Sequence, residues 1–145
     1  MDKSITDSVS LKFLKSHALF GGIEDEDLVF FLSLMKQENY SEGGVIVNEG
    51  ETGDCLYLIV EGSVEILKNV SDSSSESRER IATLGTGETF GEMAIVDLQK
   101  RSATVKTMEA TAVLKLSHKD IFNIAQKNNY IYSIVIMNLA REISR

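Results

Sequence analysis

Residues 85–105 read GTGETFGEMAIVDLQKRSATV, and the rest of the chain is best understood outward from them. Gly85 and Gly87 frame a turn, Thr89-Phe90 suits a short strand, and Gly91 opens a short helix over Glu92 to Val96. A loop then presents Arg101-Ser102 just as another strand begins at Ala103. Backbone N–H groups at the start of a short helix, with a guanidinium nearby, form an anion pocket. Arg101 supplies the planar fork that matches a phosphate. Glu92 would be unwelcome beside a phosphate unless the ligand also carries a donor, such as a sugar hydroxyl. A phosphate together with a sugar hydroxyl describes a nucleotide. The plainer alternative, that Glu92 and Arg101 pair with each other on a surface loop, leaves the flanking pattern unexplained.

Around this stretch the sequence has strand periodicity. Short β-rich segments recur at Val45–Val47, Cys55–Val60, Val64–Leu67, Ile81–Leu84, Ala103–Thr107 and Ala112–Leu116. Gly43-Gly44, Gly50 to Asp54, Glu61-Gly62 and Gly85 to Gly87 stand between them. Short strands bounded by glycine turns indicate an antiparallel sandwich or barrel. Ser71–Arg80, SDSSSESRER, is polar and serine-rich and reads as a long hairpin loop.

Both ends read as helix. Ser8 or Ser10 can cap a segment from Leu11 to His17, and Ala18 to Gly22 is a turn. Over 24–35, acidic residues at 24–27 precede Leu28, Phe31, Leu32 and Met35 at helical spacing, which suits the positive end of a helix. Ser117-His118-Lys119-Asp120 resembles a capping box for a helix that Asn128-Asn129 breaks. The last helix, Tyr130 to Arg145, carries an apolar stripe of Tyr132, Val135, Ile136, Leu139 and Ile143, with Ile131, Ile134 and Met137 to its side. So wide an apolar surface must cover the β core or another chain.

Composition narrows the function. The 145 residues suit one domain, 1–145, with N-terminal helices over about 9–36, a β core over about 37–117 and C-terminal helices over about 118–145. A net charge of −7 argues against a nucleic-acid surface, no apolar run is long enough to span a membrane, and the start lacks a secretory signal. Cys55 is the only cysteine, so no internal disulfide can form, which favours a reducing cytoplasm. It begins an apolar strand and reads as a small buried hydrophobe. Neither His17 nor His118, the two histidines, sits near a cysteine or a second histidine at metal-ligand spacing. No nucleophile elbow or phosphate-loop lysine is present. Neither a metal, a cofactor nor a catalytic set is expected.

Residues 90–104, FGEMAIVDLQKRSAT, resemble the phosphate-binding cassette of the cyclic nucleotide-binding domain family, found in catabolite-activator-type regulators, protein kinase A regulatory subunits and gated channels. Upstream, NEGETGDCLYLIVEGSVEIL resembles the family's glycine-bounded hairpin through Gly50, Gly53, Asp54, Tyr57, Ile59, Gly62 and Val64. The resemblance implies an α+β, mainly β fold. Its centre is an eight-stranded antiparallel β-roll, jelly-roll-like or a double-stranded β-helix, flanked by N-terminal helices and two C-terminal helices. It also implies a non-enzymatic sensor whose C-terminal helices are repositioned by ligand and signal to a protein partner or a second copy. Glu92 would accept from the ribose 2′-hydroxyl, with Gly91 allowing close approach. Amides around Met93, Ala94 and Ala103, the Arg101 guanidinium and the Ser102 hydroxyl would hold the cyclic phosphate, and Ile66 and Ile81 would face the base. The alternative is the same fold as an interaction module that binds no nucleotide.

Lys100 stands where the family usually has proline, adding a positive charge near the phosphate. Family members that act as transcription factors continue into a helix-turn-helix domain, and this sequence reaches only Arg145, so DNA binding is not expected of it. The position after Arg101 is often Ala where cAMP is preferred and Thr where cGMP is. Similar bacterial regulators carry Arg-Ser-Ala here and bind cAMP, so Ser102 implies cAMP, with cGMP as the alternative.

Overall fold

The computed structural model describes residues 11–70, 77–95 and 99–143. The capping serines at 8 and 10, the 71–76 part of the serine-rich segment, Val96 and the last two residues lie outside them. Helix α1 covers 11–16, a 3₁₀ turn covers Ala18–Phe20, and α2 runs Asp25–Leu34. Asp25, Glu26 and Asp27 occupy the first turn of α2, where carboxylates favour helix.

Ten strands follow among the described residues: β1 Lys36–Tyr40, β2 Val45–Val47, β3 Thr52–Gly53, β4 Cys55–Glu61, β5 Ser63–Asn69, β6 Arg78–Gly85, β7 Thr89–Phe90, β8 Gln99–Lys100, β9 Thr104–Thr107 and β10 Thr111–Ser117. A 3₁₀ helix, Glu92–Ile95, lies between β7 and β8. Helices α3, His118–Lys127, and α4, Asn129–Ile143, complete the order. One sheet runs β1-β10-β4-β7, a second β2-β9-β5-β6, and β3 pairs with β8. Every pairing is antiparallel. The expected mainly β roll with helices at both ends is thus what forms.

Two strand features depart from the sequence reading. The polar segment Lys36–Tyr40 forms β1, which pairs through its whole length with β10. An edge strand needs few apolar side chains, so alternation gives no signal here. Strand β6 also begins at Arg78, inside the segment read as loop, where Arg78–Arg80 pair with Leu67–Asn69. Backbone hydrogen bonds and the Arg80–Glu65 ion pair (3.0 Å) hold this polar end.

Strand β4 has no polar face because it lies between two cores. Leu56 and Leu58, with Leu114 and Leu116 of β10, pack towards the helices against Leu14, Phe20, Phe31 and Ile124. Cys55, Tyr57 and Ile59 face the inside of the roll, with Val64, Phe90, Val105 and Val113. Each fully buried aliphatic or aromatic side chain contributes roughly 1.5–3 kcal/mol. Tyr57 and Phe90 stack at 4.9 Å.

The last two helices close over the first core. Ser117 caps α3 by accepting from the Asp120 N–H at 3.1 Å. Asn128 ends α3, and its side chain accepts from Ile131 N–H (3.2 Å) at the start of α4. The buried line on α4 is Ile131, Val135 and Leu139, with Tyr132 and Ile136 half-buried beside it, so the helix is rotated slightly from the expected stripe. Asn138 is also buried. Its Nδ2 donates to the carbonyls of Leu19 (3.0 Å) and Gly21 (2.9 Å), which fastens α4 to the 3₁₀ turn. No helix among the described residues is long and apolar enough to cross a membrane.

Candidate functional site

Arg101 follows β8 and is held by its own backbone before its side chain is considered. Its N–H donates to the Glu51 carbonyl (2.7 Å) and its carbonyl accepts from Gly50 N–H (2.8 Å). The guanidinium then reaches inward between two glycines. A Cβ on Gly53 would run into the Arg101 side chain. One on Gly91 would lie 2.6 Å from Arg101 Nη1 and 2.7 Å from the Cys55 carbonyl, and Gly91 also has φ +78°. Gly91 therefore needs glycine, while at Gly53 the missing side chain leaves the space that Arg101 fills. Arg101 Nη2 donates to the Cys55 carbonyl at 2.8 Å, and the guanidinium lies 5.8 Å from the centre of the Tyr57 ring.

Glu92 opens the 3₁₀ helix, and its Oε1 accepts from Thr89 Oγ1 at 2.6 Å. Among the described residues no ion pair joins Glu92 to Arg101. Both instead line one cavity of about 250 Å³, with Gly91, Met93, Ser102 and Ala103 around them. Val47, Ile66, Phe90 and Val105 give that cavity its apolar wall. A guanidinium and a carboxylate in a half-apolar cleft can bind an anionic group and a hydroxyl donor on one ligand.

Seven of the nine expected residues thus meet in one place. Ala94 lies within the 3₁₀ helix Glu92–Ile95. Ile81 does not reach the cavity and is 55% exposed. The register explains it: Ile66 faces Ala82 while Leu67 faces Arg80, so Ile81 is an extra residue that drops out of the alternation. The sequence reading assigned no site role to Val47, Gly53, Phe90 or Val105, whereas Lys100, expected to add charge near the phosphate, does line the cavity. Gly53 was visible as part of a motif, but its contact with Arg101 spans nearly fifty residues of chain.

Two further groups shape the surroundings. Burial, and then the hydrogen bond to Asp54, pushes the Cys55 thiol from 9.0 up to about 11, so it stays protonated. On the paired strands β1 and β10, Tyr40 and Lys115 both donate to Glu38, at 2.7 and 3.1 Å. The Tyr40 bond holds the Glu38 carboxyl below its ordinary range. A second cavity, about 420 Å³, opens on the other side of Glu92 and Met93, where Leu19 of the 3₁₀ turn and Leu139 of α4 bound it.

Residues 37–128 match the family described as the cyclic nucleotide-binding domain. The cyclic AMP receptor protein of Thermus thermophilus is 30% identical over 91% of this chain and 58% of its own length. The cGMP-dependent protein kinase, isozyme 1, of Drosophila melanogaster is 32% identical over 66% of this chain and 12% of its own. Both are longer proteins of which this sequence matches a part. In fold, the chain is similar to the crystal structure of a cyclic nucleotide-binding domain from Methylobacillus flagellatus. That likeness has a TM-score of 0.83 at 24% identity, over 97% of this chain and 77% of the other. The chain belongs to the cyclic nucleotide-binding domain family, as a regulatory module and not a catalyst.

Proposed function

We propose that this domain senses a cyclic nucleotide, with cAMP preferred to cGMP, in the cavity between Glu92 and Arg101. Arg101 and the amides at Met93, Ala94 and Ala103 hold the cyclic phosphate. Glu92 accepts from the ribose 2′-hydroxyl, and Gly91 permits close backbone approach. Ile66, with Val47 and Val105, provides an apolar wall for the base. The observation that carries this reading is the half-buried Arg101 guanidinium. It is seated between two glycines and shares its cavity with a carboxylate to which it is not paired.

Similarity to the Thermus receptor supports cAMP, and similarity to the Drosophila kinase makes cGMP the alternative, with the Ser102 hydroxyl as its reader. Output passes to α4, because Glu92 and Met93 share the second cavity with Leu139. Tyr130 and Met137, at 74% and 59% exposure on α4, offer a face to a protein partner or a second copy. The cytoplasm is the compartment this reading favours, where Cys55 stays a free thiol.

Calorimetric titration with both nucleotides tests the site. Arg101→Leu leaves the bound phosphate uncompensated and is expected to cost about 3–5 kcal/mol, at least 10²-fold in Kd. Wild-type affinity in that variant overturns the assignment.

A further inference from the structure

The backbone at the tip of the cassette is gripped from two sides. The turn after β2 holds Arg101 through the Gly50 N–H and the Glu51 carbonyl. From the opposite side Lys68 Nζ donates to the Ser102 carbonyl at 2.9 Å. Lys68 lies on β5 two residues beyond Ile66, which lines the cavity. Strand alternation therefore puts both side chains on the same face of the sheet. The ladder from β5 to β9 is regular at this point, with Ile66 opposite Val105 and Leu67 opposite Thr104. Glu49 ties the same corner. Its N–H donates to the buried Thr104 Oγ1 (3.0 Å), and its carboxylate accepts from Asn69 N–H (2.9 Å).

A trans peptide carries its C=O and the following N–H on opposite sides. A cation that pins the Ser102 carbonyl towards β5 therefore turns the Ala103 N–H the other way. It also polarises that peptide, which makes the N–H a better donor. Ala103 lines the cavity beside Arg101. We infer that Lys68 is a positioning residue for ligand binding, which fixes the Ser102–Ala103 peptide so that the Ala103 N–H and the Ser102 side chain face the ligand in a set orientation. The inference rests on reading this cavity as the cyclic nucleotide site, and it adds a residue from outside the cassette to that site.

The rival explanation is charge alone: an exposed ammonium at the rim attracts any anion. Salt separates the two, because at 0.5 M the screening length is only about 4 Å while a direct hydrogen bond persists. The test uses the full chain, isotope-labelled, as wild type, Lys68→Met and Lys68→Arg. In ligand-free protein the Ala103 amide resonance is expected to move and to exchange faster in Lys68→Met, and to return towards wild type in Lys68→Arg. Kd for cAMP is expected to weaken about three- to tenfold in Lys68→Met at both 0.1 and 0.5 M NaCl, with Lys68→Arg within about twofold of wild type. Wild-type affinity in Lys68→Met, or a deficit that vanishes at the higher salt, overturns the inference. The amide is read without ligand, so it decides the positioning even if wild type bound neither cAMP nor cGMP and the functional reading fell. An Ala103 resonance unmoved by Lys68→Met overturns it as well.

Discussion

Gly53→Ala should damage binding while leaving the fold nearly untouched, and the structure gives reasons for both halves. Gly53 is not among the glycines with positive φ, so its backbone suits alanine. Alanine there also restricts the unfolded chain, a gain of roughly 0.4–1 kcal/mol that offsets local crowding. The new methyl, however, occupies the space of the Arg101 side chain. The guanidinium must move by about the width of a methyl group, which breaks its bond to the Cys55 carbonyl and takes the fork away from the cavity. A charge-assisted hydrogen bond is worth about 1.5–3 kcal/mol, so Kd should weaken roughly 10- to 150-fold. Gly43→Ala is the control, since Gly43 touches neither Arg101 nor the cavity. Gly43 has φ +81° and only Lys106 Cε, at 4.0 Å, near its would-be Cβ, so alanine there strains only the backbone, by about 1–2 kcal/mol. For a domain of this size that lowers Tm by a few degrees. Calorimetric binding and thermal melts on both variants should therefore give opposite outcomes, affinity lost in one and stability in the other. Wild-type affinity in Gly53→Ala would refute the claim that the seat of Arg101 sets binding.

Three further outcomes are expected. Ser102→Ala should leave cAMP affinity within a few-fold and reduce cGMP affinity by roughly two- to twelvefold, the worth of one hydroxyl hydrogen bond, in competition titrations. Equal effects on both nucleotides would mean the hydroxyl contacts the phosphate instead. Asn138→Leu should lower stability by about 1–3 kcal/mol in urea melts, because it strands the carbonyls of Leu19 and Gly21. In the alkaline range, Cys55 should make the fold weaken as pH rises from 9 towards about 11, where the unfolded thiol has lost its proton and the folded one has not. Cys55→Ala should show a shallower loss across that window in urea titrations, and parallel curves for the two proteins would dismiss the thiol.

How much of this was readable in the sequence depended on how local each signal was. The turn, Glu92 and Arg101 sit within one stretch of 21 residues, so their shared chemistry could be seen before any fold was known. Strand β4 was equally plain, since a strand buried on both faces is apolar throughout. Ile81 was misplaced because one extra residue in β6 reverses the side a chain faces, and composition does not mark where the ladder skips. Strand β1 escaped because its partner, β10, lies some seventy residues away and supplies the hydrogen bonds that its own side chains do not announce. The Gly53–Arg101 and Lys68–Ser102 contacts share that difficulty. Each joins segments that only the closed roll brings together.

On the proposed reading, the position of Glu92 gives the domain a route from ligand to output. Glu92 lines the smaller cavity with Arg101, while the same residue and Met93 line the larger cavity with Leu19 and Leu139. The larger cavity is a cleft of about 420 Å³ open to solvent, so Glu92 and Met93 have room to shift on that side. The Asn138 bonds to Leu19 and Gly21 make α4 and the 3₁₀ turn move as one body, because separating them would strand two carbonyls. A ligand that draws Glu92 and Met93 towards Arg101 changes the wall that this body rests against. Its leverage on α4 is then set by how much more tightly it binds one placement of the cassette than the other, and by nothing else in the site.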